Sequence, residues 1–387
     1  MLKGEPRLYT KYSDGILIEA GHYLLRKRSL LRFFHGKIAA LDPRTPIFQV
    51  PNESFYDKRT EKIRTSYLKL AALHGEPILR KFVKGEPVAP DDFKPGDCRK
   101  LALKASRLER TASPEIILPP YFSIGGSTDP WIPVNMEIFR EIIRLEGAPR
   151  VYFPLALDHR VLEDRDELDA VCRITSKIDP WGYAVWPVGF DEFHSNVREL
   201  QGLAHLLSNL TGDKILMYAG YFSILLCALT GSSFSNGPCF YEKRDITISP
   251  PLEFRPRCRY YLPPIHQKVD PVAALALHRI LNELGISPSL CRSCRKYAQG
   301  DDFTRIAEMP DIDIFEHNFL TRRKEVDILK RSRNPLELGL ENLLFLQSIR
   351  DEISHIRQMR FLKTWIEALE LVQEITRDIR PTGPGVS

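Results

Sequence analysis

Cys291 and Cys294, separated by one Arg and one Ser, are the residues whose spacing most directly implies chemistry. A turn of that length points both sulfurs inward, so the pair can chelate one tetrahedral metal ion. His317, in the segment Phe-Glu-His-Asn-Phe-Leu, follows 23 positions after Cys294 and is a third candidate ligand. Zinc is the cofactor this donor set implies. One Cys-x-x-Cys is half a site, and the same spacing serves a redox pair or two unrelated thiols on a turn. The fourth ligand is open between Cys258, a nearby carboxylate and a water.

A second set of chemical residues stands at the ends of short apolar runs. Glu19 and His22 come at the end of the run at 16–20, Asp158 and His159 follow 151–157, and Asp191 with Glu192 follows 185–190. Gly220 and Tyr221 follow 214–219, Ser235 and Asn236 follow 232–234, and His266 with Gln267 follows 260–265. In a parallel barrel the carboxyl ends of the strands are where loops converge and side chains escape the packed interior. Carboxylates gathered there repel one another and lose water, which raises their pKa values toward those of working acids and bases. Glu19, Asp158 and Asp191 are the catalytic candidates. His22, Gly220, Tyr221, Ser235 and Asn236 are the substrate-binding ones. The plainer alternative is that Asp158 and Asp191 only cap the helices after them.

Basic residues form a third set. Arg26, Lys27, Arg28, Arg32 and Lys37, then Lys58, Arg59, Lys62 and Arg64, are interleaved with Phe33, Phe34, Phe55, Tyr56 and Tyr67. Arg292, Arg295 and Lys296 flank the cysteines, and Arg322, Arg323 and Lys324 follow His317. Cations beside aromatic faces suit phosphates and unstacked bases. Each cluster taken alone reads first as a solvated charged face. Their position beside the metal candidate points to nucleic acid, tRNA or DNA, as the partner.

Positioning these residues takes a scaffold that ends many strands on one face. Strand-like apolar runs occur at 16–20, 47–50, 116–120, 150–155, 183–188, 214–219, 232–234 and 258–262. They are continuous rather than alternating in polarity, as strands covered on both faces are. Helical spacing appears at 161–177, 195–210 and 272–284. Such strand–helix alternation predicts a parallel sheet. No G-x-G-x-x-G turn follows any run, so an α/β fold of the closed (β/α)8 TIM type is preferred to an open doubly wound sheet. Residues 51–112, with helices over 59–73 and 98–109, read as an inserted cap segment. Residues 285–320 read as a zinc-knuckle-like insertion, and 1–334 as one barrel domain. Residues 335–387 form a C-terminal helical extension, nearly continuous amphipathic helix over 336–378, with a disordered tail.

Bulk composition fits this scheme. Apolar content of 43% and charged content of 27% are ordinary for a globular chain. A formal charge of +5 permits an anionic partner without demanding one. No run approaches the ~20 uncharged apolar residues of a membrane span. The first residues lack the apolar centre of a signal peptide. Seven cysteines in a long chain suggest a reducing, cytoplasmic setting. A protein partner or self-association is compatible with all of this.

Three segments carry a family resemblance. Ile16-Leu-Ile-Glu-Ala-Gly-His-Tyr23 resembles I-L-T-D-S-G-G-F, the first-strand signature of the tRNA-guanine transglycosylase superfamily. Ile215-Leu-Met-Tyr-Ala-Gly220 with Gly231-Ser-Ser-Phe-Ser-Asn236 resembles that family's Y-L-M-G-V-G and G-V-D-M-F-D-C. Cys291-Arg-Ser-Cys294-Arg-Lys-Tyr297 resembles the end of its zinc motif C-x-C-x-x-C-x-x-Y, with His317 near the ligand histidine. The resemblance spans roughly 14–330. It implies a zinc-bearing (β/α)8 barrel that exchanges guanine for a 7-deazaguanine in nucleic acid, with some relatives acting on DNA. Three departures qualify it. Ser235 stands at the nucleophile position, Glu19 at the general-base position and Ser289 at the first zinc cysteine. A serine does not trap a glycosyl centre as a carboxylate does. Asp158 or Asp191 would then have to replace the nucleophile, with Glu19 as acid–base partner. Otherwise the chain is a non-catalytic subunit or recruiting factor that binds nucleic acid. An unrelated barrel hydrolase or lyase using His159 and His266 on a small molecule is the outside alternative.

Overall fold

The structure is a computed structural model that describes residues 11, 13–21, 23–24, 38–51, 55–57, 62–147, 150–236, 245–246, 258–286, 291–298, 303–354 and 359–379. Strand β1 (Gly15–Glu19) pairs in parallel with β2 (Ile38–Asp42), which sets Glu19 beside Asp42 at their carboxyl ends. Parallel bridges continue the row from Ala40 to Ile116 and from Ile117 to Val151. Then comes a four-stranded parallel sheet of β3 (Tyr152–Asp158), β4 (Gly182–Val188), β5 (Asp213–Leu216) and β6 (Ser233–Phe234). A final pair, β7 (Tyr260–Leu262) and β8 (Gln267–Val269), is antiparallel. A complete ring of eight strands is not seen among the described residues.

Side chains along these strands divide between two cores, as the two-residue period of a strand requires. Ala40, Ile116, Tyr152, Ala156, Ala184, Trp186 and Met217 form one small core. Their alternates Phe153, Leu155, Leu157, Tyr183, Val185 and Leu216 join a much larger one that includes the helices. The strands are therefore apolar on both faces, which explains their unbroken apolar sequences. The small core draws on β2, β3, β4 and β5 together. Contacts across the strand ends confirm the curl: the Tyr218 hydroxyl, after β5, donates to Asp42 on β2 at 3.1 Å.

The helices start where the sequence offers caps. Asn196 and Glu199 form a capping box at α6 (Val197–Asn209), and Asp164 caps α5 (Arg165–Thr175). Asp270 and Asn334 cap α8 (Pro271–Glu283) and α10 (Pro335–Ser348), each with Pro at the first helical position. The segment expected as an inserted cap holds the short hairpin Tyr56–Asp57 with Lys62–Ile63 and three helices, α1 (Thr65–His74), α2 (Ile78–Lys84) and α3 (Asp97–Ala112). Helix α4 (Trp131–Glu146) packs on α3 and leads into β3, and α7 (Tyr221–Thr230) lies between β5 and β6. After α9 (Asp311–Arg331), the C-terminal region is three helices rather than one: α10, α11 (Arg350–Ile353) and α12 (Phe361–Ile379). Trp365 of α12 is fully buried in the large core, and its indole N–H donates to the Glu192 carbonyl at 2.7 Å.

Two expected strands differ. Residues 47–50 lie largely in a 3-10 turn, Thr45–Gln49, whose Pro46 has no N–H to give a ladder. The strand in that part of the chain is β2, whose run Ile-Ala-Ala-Leu-Asp was too short and small to stand out. Residues 116–120 contribute isolated bridges rather than a full strand, because Pro119 and Pro120 have no N–H to extend the ladder, and side chains hold the segment beyond them. Gln49 bonds Ser123 through both ends of its amide, at 2.9 and 2.7 Å. Asn135 does the same to Phe122, at 2.8 Å each.

Candidate metal centre and strand-end site

Cys291 and Cys294 bracket a turn that runs into a 3-10 helix, Cys294–Lys296, and His317 lies on α9. The two sulfurs are 3.4 Å apart, and His317 Nδ1 lies 3.4 Å from Cys291 and 2.9 Å from Cys294. Tetrahedral zinc with sulfurs at ~2.3 Å would hold them about 3.8 Å apart, so a few tenths of an ångström separates this arrangement from a bound geometry. Both cysteines are free thiols. His317 Nε2 donates to the Tyr261 carbonyl at 2.6 Å, which leaves the Nδ1 lone pair facing the sulfurs. That is the usual way a ligating imidazole is fixed in one tautomer. The donor set fits a metal ion, and among the described residues these three are the ones that converge.

The surroundings favour thiolate at Cys291 and leave the shared proton on Cys294. A hydrogen bond from Cys294 pushes the Cys291 thiol down to about 4, with His317 adding to it, while Cys294 is pushed up by the shared proton and by burial. A bound cation deprotonates such ligands outright. Tyr260 lies 3.2 Å from Cys294 Sγ and stacks on the His317 ring at 4.0 Å. His278 meets the Tyr260 hydroxyl at 3.2 Å, and burial pulls its pKa down to about 4, so it is neutral. Cys258 is buried nearby in sequence, but it is not part of the cluster. Ser289 lies outside the described residues.

The second site is at the strand ends and turns on a residue the sequence did not flag. Asp42, at the end of β2, is fully buried. Its Oδ1 accepts the Arg44 N–H and the Tyr121 hydroxyl, both at 2.9 Å, and its Oδ2 accepts the Tyr218 hydroxyl. Burial, then the Asp42 charge, holds both phenols well above their usual pKa. Arg44 Nε lies 3.8 Å from Glu19 Oε1, and its guanidinium sits over the Trp186 ring at 5.5 Å. Arg44 and Tyr218 both have left-handed backbones, φ 55° and 63°. Bulky residues hold that conformation only where their surroundings dictate it, and functional sites are where such strain gathers. His74 braces the turn from below, donating from Nε2 to the Pro43 carbonyl at 3.0 Å. Arg44 Nη1 in this cluster and Asn236 Nδ2, two residues past the end of β6, are buried donors that meet no acceptor among the described residues.

The expected site residues divide accordingly. Glu19 joins the Asp42–Arg44 cluster. Asp158 is held by Arg160 through its N–H, Nε and Nη2, which lowers its pKa, and it caps the following 3-10 helix. Asp191 accepts from Phe193 N and pairs with His194 in its own turn. The capping alternative thus describes Asp158, while Asp191 bonds within its own turn and the cap of α6 is Asn196. Ser235 Oγ accepts the Tyr218 N–H at 3.2 Å and so props the strained tyrosine. Gly220 starts α7 where any Cβ would strike the Glu192 carboxylate, and that carboxylate accepts from Ser223 N–H and Oγ–H. Tyr221 stacks on His266 at 3.4 Å, and His266 meets Glu325 at 3.2 Å. His159 is tied to Glu199 at 2.5 Å. His22 lies outside the described residues.

The basic residues are more engaged than their sequence suggests. Arg322 is nearly buried, stacks on Tyr261 at 4.3 Å and pairs with Glu325 at 3.1 Å. Arg323 reaches Asp14 at 2.7 Å and Asp327 at 3.2 Å, tying α9 to the start of β1. Arg292 pairs with Glu316 and Lys296 with Asp313. Arg295 and Lys324 are exposed. The clusters at 26–37 and most of 58–64 lie outside the described residues.

A strand reading of 38–42 would have exposed the second site, since Asp42 and Arg44 follow it as directly as Glu19 follows β1. Tyr121, Trp186 and Tyr218 gave no local signal at all. No helix among the described residues is long and apolar enough to cross a membrane. No protein-family model matches this sequence, and no curated protein matches it.

Proposed function

We propose that this chain is a transglycosylase-like (β/α)8 barrel that binds nucleic acid and receives a guanine-type base at the carboxyl ends of its strands. A zinc ion on Cys291, Cys294 and His317 would fix the last strands and α9. One observation carries the proposal: Glu19 and Arg44 meet at the strand ends beside Trp186 and Tyr218, with Arg44 Nη1 and Asn236 Nδ2 left as buried donors. Guanine offers the complement, acceptors at O6 and N7 and a donor at N2. A carboxylate, a guanidinium and an amide can read those edges, and buried donors of this kind are costly until a ligand or water satisfies them.

Chemistry at the site is narrower than binding. Ser235 is committed to the Tyr218 backbone, and Asp158 and Asp191 are committed to their own loops. Glu19, a quarter exposed, is the carboxylate best placed for proton transfer to a bound base. A binding protein of the transglycosylase type is therefore favoured over an exchanging enzyme.

The experiment pairs two assays on zinc-loaded protein. Binding to tRNA and to single-stranded DNA is measured against salt, and incorporation of labelled guanine is measured in parallel. Binding should fall with salt at a log–log slope of roughly −0.7 to −0.9 per neutralised phosphate. Charge reversal at the exposed Arg295 and Lys324 should weaken all sequences alike. Guanine incorporation should be absent in wild type and in Ser235→Ala. Salt-independent binding would remove nucleic acid from the proposal, and Ser235-dependent incorporation would restore the family chemistry.

A further inference from the structure

Behind the metal ligands, Tyr260 on β7 and His278 on α8 form a line of polar groups inside an otherwise apolar core. The Tyr260 hydroxyl is 3.2 Å from Cys294 Sγ and 3.2 Å from His278 Nε2. With a cation bound Cys294 is a thiolate, which can only accept, so the phenol donates to sulfur and takes the His278 Nε2 hydrogen in turn. His278 Nδ1 is then a bare acceptor, and it is buried with no partner among the described residues. His278 is held flat by Phe303, stacked at 4.9 Å and 11°. The face of Tyr260 lies on His317 at 4.0 Å and 11°, so one side chain touches two of the three ligands.

Burying an unsatisfied imidazole nitrogen and a phenol has a cost that apolar residues of the same size would avoid. We propose that the chain His278–Tyr260–Cys294 is an outer-shell relay that sets the charge on the Cys294 sulfur and the orientation of His317. Tyr260 and His278 are positioning residues, acting on the ion only through its ligands. Hydrogen bonds to a metal-bound sulfur withdraw electron density, and a line of such bonds polarises each member further. The proposal rests on the metal reading of Cys291, Cys294 and His317.

The test uses the full chain with Zn2+ or Co2+ alone as probes. Affinity for Zn2+ is taken from competition with a chromophoric chelator, and the sulfur-to-cobalt charge-transfer band reports the electron density on sulfur. Tyr260→Phe keeps the ring on His317 and removes the donor. It should weaken Zn2+ binding by about 10–100-fold, the usual penalty for losing an outer-shell partner, and move the cobalt band to lower energy. His278→Gln, which keeps an N–H for the phenol, should leave the band in place, and His278→Leu should shift it partway. If Tyr260→Phe does not fold, the His278→Gln and His278→Leu contrast carries the same decision. A wild-type band in both Tyr260→Phe and His278→Leu overturns the relay, whatever happens to affinity. Wild type that takes up neither ion overturns the metal reading and the relay with it.

Discussion

At the knuckle, two sulfurs and an imidazole nitrogen face one another within 3.4 Å, and all three are atoms that repel or compete for one proton. At the strand ends, a carboxylate of no exposure is met by two phenols and the backbone N–H of Arg44, whose side chain reaches Glu19 instead. The first cluster gathers acceptors and calls for a cation from outside. The second carries its own cation, counter-charge and donors, and among the described residues it leaves Arg44 Nη1 as a buried donor with no acceptor. Buried charge is tolerated when it is paired and hydrogen-bonded, and the two regions reach that state by different routes. One region should therefore gain stability from a metal, and the other should be stable without it and select a ligand that accepts.

The sharpest contrast is removal of metal. With zinc at a thousand times its Kd, linkage adds about 4 kcal/mol to the wild type. Chelation should lower the unfolding midpoint accordingly, and Cys294→Ser should erase the zinc increment. Mutants at the strand ends should keep it. A midpoint indifferent to zinc in wild type would make the cysteines an ordinary free pair.

Truncation at the strand ends comes next. Asp42→Ala strands the Arg44 N–H and two phenols that its buried carboxylate accepts from, a loss of about 3–5 kcal/mol for breaking a buried network. Denaturant melts should show that loss equally with and without zinc. Dependence on zinc would join the two regions and end the comparison.

Acid should separate the regions further through His74. Burial lowers its pKa to about 4 against 6.5 for the ordinary side chain, so the unfolded chain takes up the proton first. Its stabilising contribution is complete above about pH 6.5 and is lost as pH falls toward 4. The gap of 2.5 units corresponds to about 3 kcal/mol at most. His74→Gln should flatten stability over that window, and an unchanged pH profile would contradict it. Gly220→Ala should have the smallest effect, about 1–3 kcal/mol, because the new Cβ displaces the Glu192 carboxylate from the start of α7.

These two regions also explain what the sequence made legible. Cys291 and Cys294 sit three positions apart, so their geometry is local, and one histidine on a neighbouring helix completes the donor set. The strand-end cluster draws Glu19, Asp42, Tyr121, Trp186 and Tyr218 from separate strands and loops, joined by no spacing at all. Glu19 was visible because it ends a clear apolar run. Asp42 was not, because Ile-Ala-Ala-Leu is short and the run at 47–50 looked stronger until Pro46 is weighed. Asp158 and Asp191 have the residue types of catalysts, yet the first caps a 3-10 helix and the second bonds within its own turn. Arg322 has the type of a phosphate contact, yet it is spent on Tyr261 and Glu325. Residue type indicates capacity, and only neighbours in space decide its use.

The most direct test is calorimetric titration of zinc-loaded protein with free guanine, in wild type and in Glu19→Gln. Glu19→Gln keeps the shape of the side chain and removes the charge that would accept the base's N–H edge. The account predicts saturable binding by wild type and at least about a tenfold loss in the variant, equal to about 1.4 kcal/mol. No saturable binding by wild type, or the same affinity in Glu19→Gln, would contradict a base site at the strand ends.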